Sequence, residues 1–290
     1  MDRKKFLKLG LAGTVASALP TVTNANNSEK KSHDLERIGY NHLPNKNLTT
    51  MNTILHKANT RGAADHGWLK SFHSFSFANY HNPERMHFGV LRVLNDDTVA
   101  EGKGFGTHPH RDMEIISIPL EGDLEHKDSM GNNGIIKEGD IQVMSAGTGV
   151  KHSEFNSNQD KLVKFLQIWI FPRKRGLSPR YDQLKINQIV KANEFSQILS
   201  PSAEDAGVWI NQDAWFSMGN FIENHSTKYQ IKKSGNGIYA FVIDGEVEIN
   251  GTKLEKRDGF GIWDVNEIDF KSLSKSKVLL MDIPMQLEQI

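Results

Sequence analysis

The chain has 290 residues, enough for about two domains of roughly 100 to 200 residues each, and its 38% hydrophobic content excludes wholesale disorder. Lysine plus arginine and aspartate plus glutamate both number 35, so no bulk basic excess indicates nucleic-acid binding. Cysteine is absent, which excludes disulfide scaffolds, thiolate metal sites and cysteine nucleophiles and directs attention to the 12 histidines.

Residues 1–25 predict an export signal. A basic cluster in residues 3–8 precedes residues 9–19, an apolar stretch that is too short and too rich in glycine and alanine to anchor stably in a membrane. The segment Arg3-Lys4-Lys5-Phe6-Leu7-Lys8 resembles the twin-arginine export signal, with Lys4 where the second arginine belongs. We therefore expect export to the periplasm, whereas a chain whose Arg3-Lys4 signal is not functional would stay in the cytoplasm. A disordered amphipathic tail is the alternative.

Residues 26–50 are polar and rich in asparagine, which predicts a linker between the signal and the folded body. From Met51 onward, short apolar runs alternate with glycine-containing turns, a pattern typical of an all-β sandwich or small barrel. Residues 238–245 echo residues 115–122, so the layout is repeated. We predict two β-barrel domains in tandem, over residues 51–175 and 176–290. The strand-like runs of the first are residues 88–93, 114–120, 141–144 and 162–170.

Four side chains of the first barrel have the spacing of metal ligands. His108 and His110 are two residues apart, as are His152 and Glu154, and side chains two apart on a strand point to the same face. Two strands can therefore direct three imidazoles and one carboxylate at a single point, a set that suits a divalent transition metal. Either pair alone is more often an exposed turn or a surface edge. The matching spacing of two pairs, about forty residues apart, favours the metal site.

Residues 102–114, followed by Gly122, resemble the first cupin motif, and residues 139–152 resemble the second with a longer spacing. Further motifs stand in the same region: His66-Gly67-Trp68, Phe75-Ser-Phe-Ala78, Phe105-Gly-Thr-His-Pro-His-Arg-Asp-Met-Glu114, Met144-Ser-Ala-Gly-Thr-Gly149 and His152-Ser-Glu154. Together they resemble the pirin family, and within it the prokaryotic, quercetinase-type members. The resemblance implies an all-β fold of two tandem cupin barrels of the jelly-roll type. It also implies one iron-type metal in the N-terminal barrel, bound by the residues at 108, 110, 152 and 154, and a C-terminal barrel without metal.

The second barrel lacks the residues for a similar site. No histidine follows His225, and Ile231 and Lys233 occupy the positions that correspond to the first histidine pair. We expect this barrel to serve packing. In the first barrel, Glu114 is expected to hold the free N–H of an imidazole, while His66 and His126 are expected to be hydrogen-bonded structural residues.

The resemblance implies a metal-dependent dioxygenase that opens the ring of a flavonol or related phenolic with O2, with Glu154 as the catalytic residue that takes the substrate proton. Fe²⁺ is the expected ion, with Ni, Cu, Mn and Zn as alternatives. We expect a monomer without a stable membrane anchor and without a nucleic-acid partner. Two alternatives remain: a redox-sensing or regulatory metal-binding protein without turnover, as proposed for nuclear pirins, and a metal-storage bicupin.

Overall fold

The computed structural model describes residues 51–287, so the predicted export signal and linker lie outside the described residues. No helix in the described range is long and apolar enough to cross a membrane. The regular structure is β, apart from two short 3-10 turns, Ala58–Thr60 and Ile186–Gln188. The first twelve strands are β1 (Asn52–His56), β2 (Gly62–Asp65), β3 (Leu69–His73), β4 (Leu91–Val99), β5 (Gly104–His110), β6 (Glu114–Glu121), β7 (Leu124–Asp128), β8 (Asn133–Ile136), β9 (Asp140–Ser145), β10 (Val150–Asn156), β11 (Val163–Ile170) and β12 (Arg180–Lys185).

The second half of the chain continues with ten further strands. These are β13 (Phe195–Ser200), β14 (Val208–Trp209), β15 (Trp215–Phe221), β16 (Ser226–Gln230), β17 (Asn236–Asp244), β18 (Val247–Ile249), β19 (Thr252–Leu254), β20 (Gly259–Trp263), β21 (Glu267–Ser272) and β22 (Ser276–Pro284).

Each half of the chain builds one seven-stranded and one four-stranded sheet. The first pair has the strand orders β12-β9-β6-β11-β4-β3-β2 and β5-β10-β7-β8. The second pair has the orders β1-β20-β17-β22-β15-β13-β14 and β16-β21-β18-β19. Neighbouring strands are antiparallel except for the short parallel pair of β13 and β14. The predicted all-β fold of two tandem cupin barrels is confirmed.

The two seven-stranded sheets exchange their edge strands across the predicted domain boundaries. Strand β1 pairs with β20 of the second sheet, and β12 pairs with β9 of the first. Boundaries at residues 51 and 175 would instead assign β1 to the first barrel and β12 to the second. An edge strand pairs wherever its free backbone donors and acceptors meet an unpaired neighbour, and strand composition alone does not reveal that partner.

The two seven-stranded sheets share one hydrophobic core. It joins Ile116, Ile118 and Leu166 of the first sheet to side chains such as Phe216 and Phe241 of the second. Because side chains alternate along a strand, the opposite face of the first sheet is left to line the barrel. On β6, for example, even-numbered isoleucines enter the shared core, while Ser117 contacts the four-stranded sheet across the barrel interior.

The interior of the first barrel has an apolar mouth, an apolar base and a polar middle. Ile115, Met144 and Val150 pack with the half-buried Trp169 at the mouth. Between mouth and base, a row of directly opposed polar side chains crosses the sheet from β9 to β3, and all of its members are buried. The row consists of Gln142, Ser117, Gln167, Asn95 and His73. The base consists of Leu69, Val99, Leu124, Ile136, Val163 and Phe165.

Candidate metal centre

Three of the predicted ligands meet where β5 pairs with β10. His152 lies directly opposite His108, and His110 lies two residues further along β5 on the same face. The ring nitrogens that these three side chains offer lie within 4.8 Å of one another. Antiparallel pairing and the two-residue spacing together therefore bring the three imidazoles to one point, as the sequence pattern predicts.

The surroundings orient two of these rings. His108 donates from Nδ1 to the carbonyl oxygen of Gly106 at 2.8 Å, which leaves Nε2 free to bind a metal. His110 packs edge to face against Trp169, with ring centroids 5.0 Å apart. A hydrogen bond at one imidazole nitrogen fixes the tautomer and the ring orientation of a metal-binding histidine, so His108 is held ready for coordination.

The cluster favours neutral imidazoles, which is the form that binds metal. Burial lowers the pKa of His110 to about 3, and the nearby rings of His152 and His108 add to this effect. Burial also lowers the pKa of His152 to about 3, with further contributions from His108 and His126. An imidazole that stays neutral at physiological pH has a free lone pair for a cation.

Glu154 is buried on the same strand, with 2% of its surface exposed. Its carboxylate accepts hydrogen bonds from Ser117 Oγ at 3.0 Å and from Gln167 Nε2 at 2.9 Å. A β-bulge in the pairing with β5 puts Glu154 opposite Phe105 on that side, while the regular pairing with β7 puts it opposite His126 on the other. The carboxylate consequently forms a close cluster with His126 and His152, and this cluster shares His152 with the first one.

His126, predicted to be a hydrogen-bonded structural residue, also lies in the second cluster of metal-binding side chains. It is fully buried, and its Nε2 lies 3.1 Å from Oδ2 of Asp128, in keeping with the predicted hydrogen-bonded role. Its other nitrogen, Nδ1, is buried and has no hydrogen-bond partner among the described residues. The two-residue spacing of His126 and Asp128 repeats that of His152 and Glu154. This spacing was the feature of the sequence that could have indicated that His126 points into the barrel.

The prediction that Glu114 holds an imidazole was wrong. Its carboxylate accepts hydrogen bonds from Ser145 Oγ at 2.5 Å and Asn211 Nδ2 at 3.1 Å. Glu114 directly precedes Ile115, whose side chain packs at the barrel mouth, so alternation turns Glu114 to the opposite face of the sheet. Burial raises the pKa of Glu114. His66, also predicted to be structural, is exposed.

Within residues 51–287, both clusters of three or more metal-binding side chains lie in the first barrel. The corresponding interior of the second barrel is filled by apolar side chains, among them Tyr229, Ile268 and Phe270.

Residues 26–170 match the family model described as Pirin, and residues 197–283 match the one described as Quercetinase C-terminal cupin domain. The chain belongs to the pirin family. It is 44% identical over 230 residues to a quercetin 2,3-dioxygenase of Escherichia coli strain K12, covering 79% of this chain and 98% of the relative. A pirin-like protein of Caulobacter vibrioides is 39% identical, covering 76% and 95% of the two chains.

Among solved structures, the bacterial pirin YhhW of Escherichia coli in complex with nickel(II) is 42% identical, with a TM-score of 0.77. The match covers 81% of this chain and 100% of that chain. The predicted membership of the pirin family and the likeness to quercetin dioxygenases are thus confirmed. The donor groups fit a divalent metal on their own chemistry, because both ring nitrogens of His152 are buried without a hydrogen-bond partner among residues 51–287, beside two further imidazoles and a carboxylate.

Proposed function

We propose that this protein is a metal-dependent dioxygenase that opens the ring of a flavonol or related phenolic with O2. The observation that carries the proposal is the cluster of His108, His110 and His152 beside the buried carboxylate of Glu154. It lies in the first barrel of a chain that is 44% identical to a quercetin 2,3-dioxygenase. The proposed metal ligands are His108, His110, His152 and Glu154.

Fe²⁺ is the proposed resident ion. Three imidazoles and one carboxylate do not by themselves discriminate strongly among iron, nickel, copper, manganese and zinc. The nickel(II) complex of the similar Escherichia coli pirin supports a divalent transition metal in general rather than iron in particular. When bound, the ion supplies Lewis acidity, which lowers the pKa of a phenolic hydroxyl at the site.

The protein's own groups then handle the substrate proton. In this proposal Glu154 accepts the proton of the flavonol hydroxyl on a carboxylate oxygen. The hydrogen bonds from Ser117 and Gln167, which hold that carboxylate in position, support this role. The apolar mouth around Ile115 and Met144 excludes water from the deprotonated, negatively charged substrate. The deprotonated flavonol is electron-rich and is the form that reacts with O2. Accepting and holding this proton is therefore the step that the protein's own residues perform in the proposed reaction.

Oxygen uptake by the metal-loaded protein with a panel of flavonols tests the activity. Glu154→Gln keeps the size and one coordinating oxygen of the side chain but removes its charge and its basicity. We expect turnover per bound metal to fall by roughly a hundredfold or more, the usual contribution of a positioned base. Glu125→Gln, an exposed change on the neighbouring strand β7, is the matched control and should keep full turnover.

One result would contradict the proposed activity and another only the role of Glu154. Absence of oxygen uptake with every phenolic would favour the regulatory or storage alternatives. Unchanged turnover per metal in Glu154→Gln would remove this residue from proton transfer while leaving the dioxygenase activity itself intact.

A further inference from the structure

We infer that a cleft formed by loops of both halves of the chain binds the phosphate group of a small phosphate ester. The cleft has a volume of about 500 Å³ and lies where the loop between β11 and β12 meets the loops that precede β15 and β17. None of its lining residues is a proposed metal ligand, so the inference does not rest on the proposed dioxygenase activity. The residues that carry it are Arg173, Lys174, Asp213, Lys233, Ser234 and Gly235.

The cleft carries a positive charge. Arg173, Lys174 and Lys233 line it, and among the described residues Asp213 is its one acidic lining residue. Arg173 and Lys233 contact different oxygens of the Asp213 carboxylate, Arg173 at 3.2 Å. Lys174 forms no ion pair within residues 51–287. One carboxylate beside three cations leaves a positive surplus that attracts an anionic ligand.

The turn before β17 adds backbone donors to these charges. Asn236 N–H closes the turn by donating to the carbonyl oxygen of Lys233 at 3.1 Å. Between them, the backbone N–H groups of Ser234 and Gly235 have no hydrogen-bond partner in the described part of the chain, and both residues are exposed. Successive free N–H groups beside lysine and arginine side chains are a combination that suits phosphate oxygens, because the amides give direction and the cations give charge.

Buried amides hold the walls of the cleft in place. Gln212 Nε2 donates to the carbonyl oxygen of Phe171 at 2.8 Å, and Gln212 Oε1 accepts from the N–H of Asp213 at 2.8 Å. Asn236 Nδ2 donates to the carbonyl oxygen of Asp213 at 3.2 Å and to Oδ1 of Asp282 at 2.7 Å. The three loops are thus tied to one another before any ligand is present. A binding site with fixed walls loses little conformational entropy when a ligand enters.

The size of the cleft favours a phosphate ester over free phosphate. The cations and the free N–H groups account for a phosphate group, which fills only part of a volume typical of small-molecule sites. The remaining lining includes Val90, Pro284 and Gln286, a partly apolar and partly polar surface without further charge. The ligand class is therefore the monophosphate of a neutral, sugar-sized molecule.

Isothermal titration of the full, Zn²⁺-loaded chain with ribose 5-phosphate, inorganic phosphate and ribose tests the inference. We expect saturable binding of ribose 5-phosphate, weaker binding of inorganic phosphate and no binding of ribose. Lys174→Gln should weaken binding of the ester roughly tenfold or more, the usual contribution of a charge-assisted hydrogen bond, and adding Lys233→Gln should weaken it further. Lys161→Gln removes the same charge from an exposed residue outside the cleft, and this matched control should bind like the wild type.

Amide NMR spectra distinguish the cleft from the metal centre as the place of binding. In the Zn²⁺-loaded chain, ribose 5-phosphate should shift the amide signals of Ser234 and Gly235 over the concentration range of the titration. The signals of Gly106 and Thr107, beside the proposed ligand His108, should not move. Phosphate bound to the metal would give the opposite pattern and would bind equally well to Lys174→Gln.

The absence of saturable binding of ribose 5-phosphate would overturn the inference, as would equal affinities in the wild type and the variant that combines Lys174→Gln with Lys233→Gln. Equal binding of ribose and ribose 5-phosphate would show that the phosphate group is not recognised. Inorganic phosphate that binds as tightly as the ester would overturn the ligand class in favour of the free anion.

Discussion

The side-chain amide of Gln167 donates a hydrogen bond to Oε2 of Glu154 at 2.9 Å, from the strand that faces Glu154 across the barrel interior. Gln167 also belongs to the row of buried polar side chains that crosses the first sheet. The carboxylate that is proposed to bind metal and to accept a proton is thus oriented by a side chain outside the proposed ligand set.

Gln167→Leu removes this hydrogen bond while nearly preserving side-chain volume. Since partners of metal-binding groups typically contribute roughly ten- to a hundredfold to metal affinity, we expect a loss of that size, measured by competition with a chelator. Gln197→Leu, in the seven-stranded sheet of the second barrel, is the control. Gln197 donates to the carbonyl oxygen of Ala206, and the metal affinity of this variant should not change. Unchanged affinity in Gln167→Leu would show that Glu154 needs no such support.

Replacing His108, His110 or His152 with alanine should in each case remove most of the bound metal. The fold should persist, because the apolar mouth, the apolar base and the core shared by the seven-stranded sheets do not depend on these rings. Metal analysis together with thermal unfolding of the purified variants measures both effects. Full metal occupancy in any of the three variants would refute the proposed ligand set.

Asp97 should make the stability of the metal-free protein depend on pH. Burial raises the pKa of this carboxyl to about 7, with the hydrogen bond from Ser71 opposing the shift and the nearby carboxylates of Asp96 and Glu154 adding to it. The unfolded chain titrates near the ordinary value of 3.8, so between these pH values only the folded protein holds the proton. The stability that Asp97 contributes is therefore fully present below about pH 4 and is lost as the pH rises through about 7.

Asp97→Asn removes this titration and keeps the shape of the side chain. Relative to the wild type, we expect the free energy of unfolding of the variant to improve by roughly 1 to 4 kcal/mol between about pH 4 and about pH 8. Urea titrations of the metal-free proteins across this range measure the difference. Asp160→Asn, on an exposed loop, should track the wild type at every pH. A difference between Asp97→Asn and wild type that does not change with pH would contradict the assignment.

Export to the periplasm is a prediction from residues 1–25, which lie outside the described part of the chain. Replacing Arg3 and Lys4 together with glutamine should leave the protein in the cytoplasm, because the twin-arginine route requires the basic pair. Immunoblots of periplasmic and cytoplasmic fractions measure the distribution, and Lys30 with Lys31 replaced in the same way is the control. Normal amounts of the Arg3 and Lys4 variant in the periplasm would show that this signal is not used.

The sequence by itself determined the fold class and the cluster of His108, His110 and His152. Glycine turns between short apolar runs specify antiparallel strands, and a two-residue spacing puts His108 and His110 on one face whatever surrounds them. A set of ligands that depends only on the two-residue alternation within one strand can be predicted from the sequence. The pirin motifs are local patterns of the same kind.

The tertiary structure determined the strand partners and the buried faces, which side-chain alternation within one strand does not specify. The antiparallel pairing of β10 with β7 placed Glu154 beside His126, and the exchange of edge strands joined β1 to the seven-stranded sheet of the second barrel and β12 to that of the first. Glu114 faces away from the barrel because the two faces of β6 are assigned by what packs on each, the shared core or the interior. Strand partners and the choice of face depend on contacts between residues far apart in the chain, and no spacing within one strand encodes them.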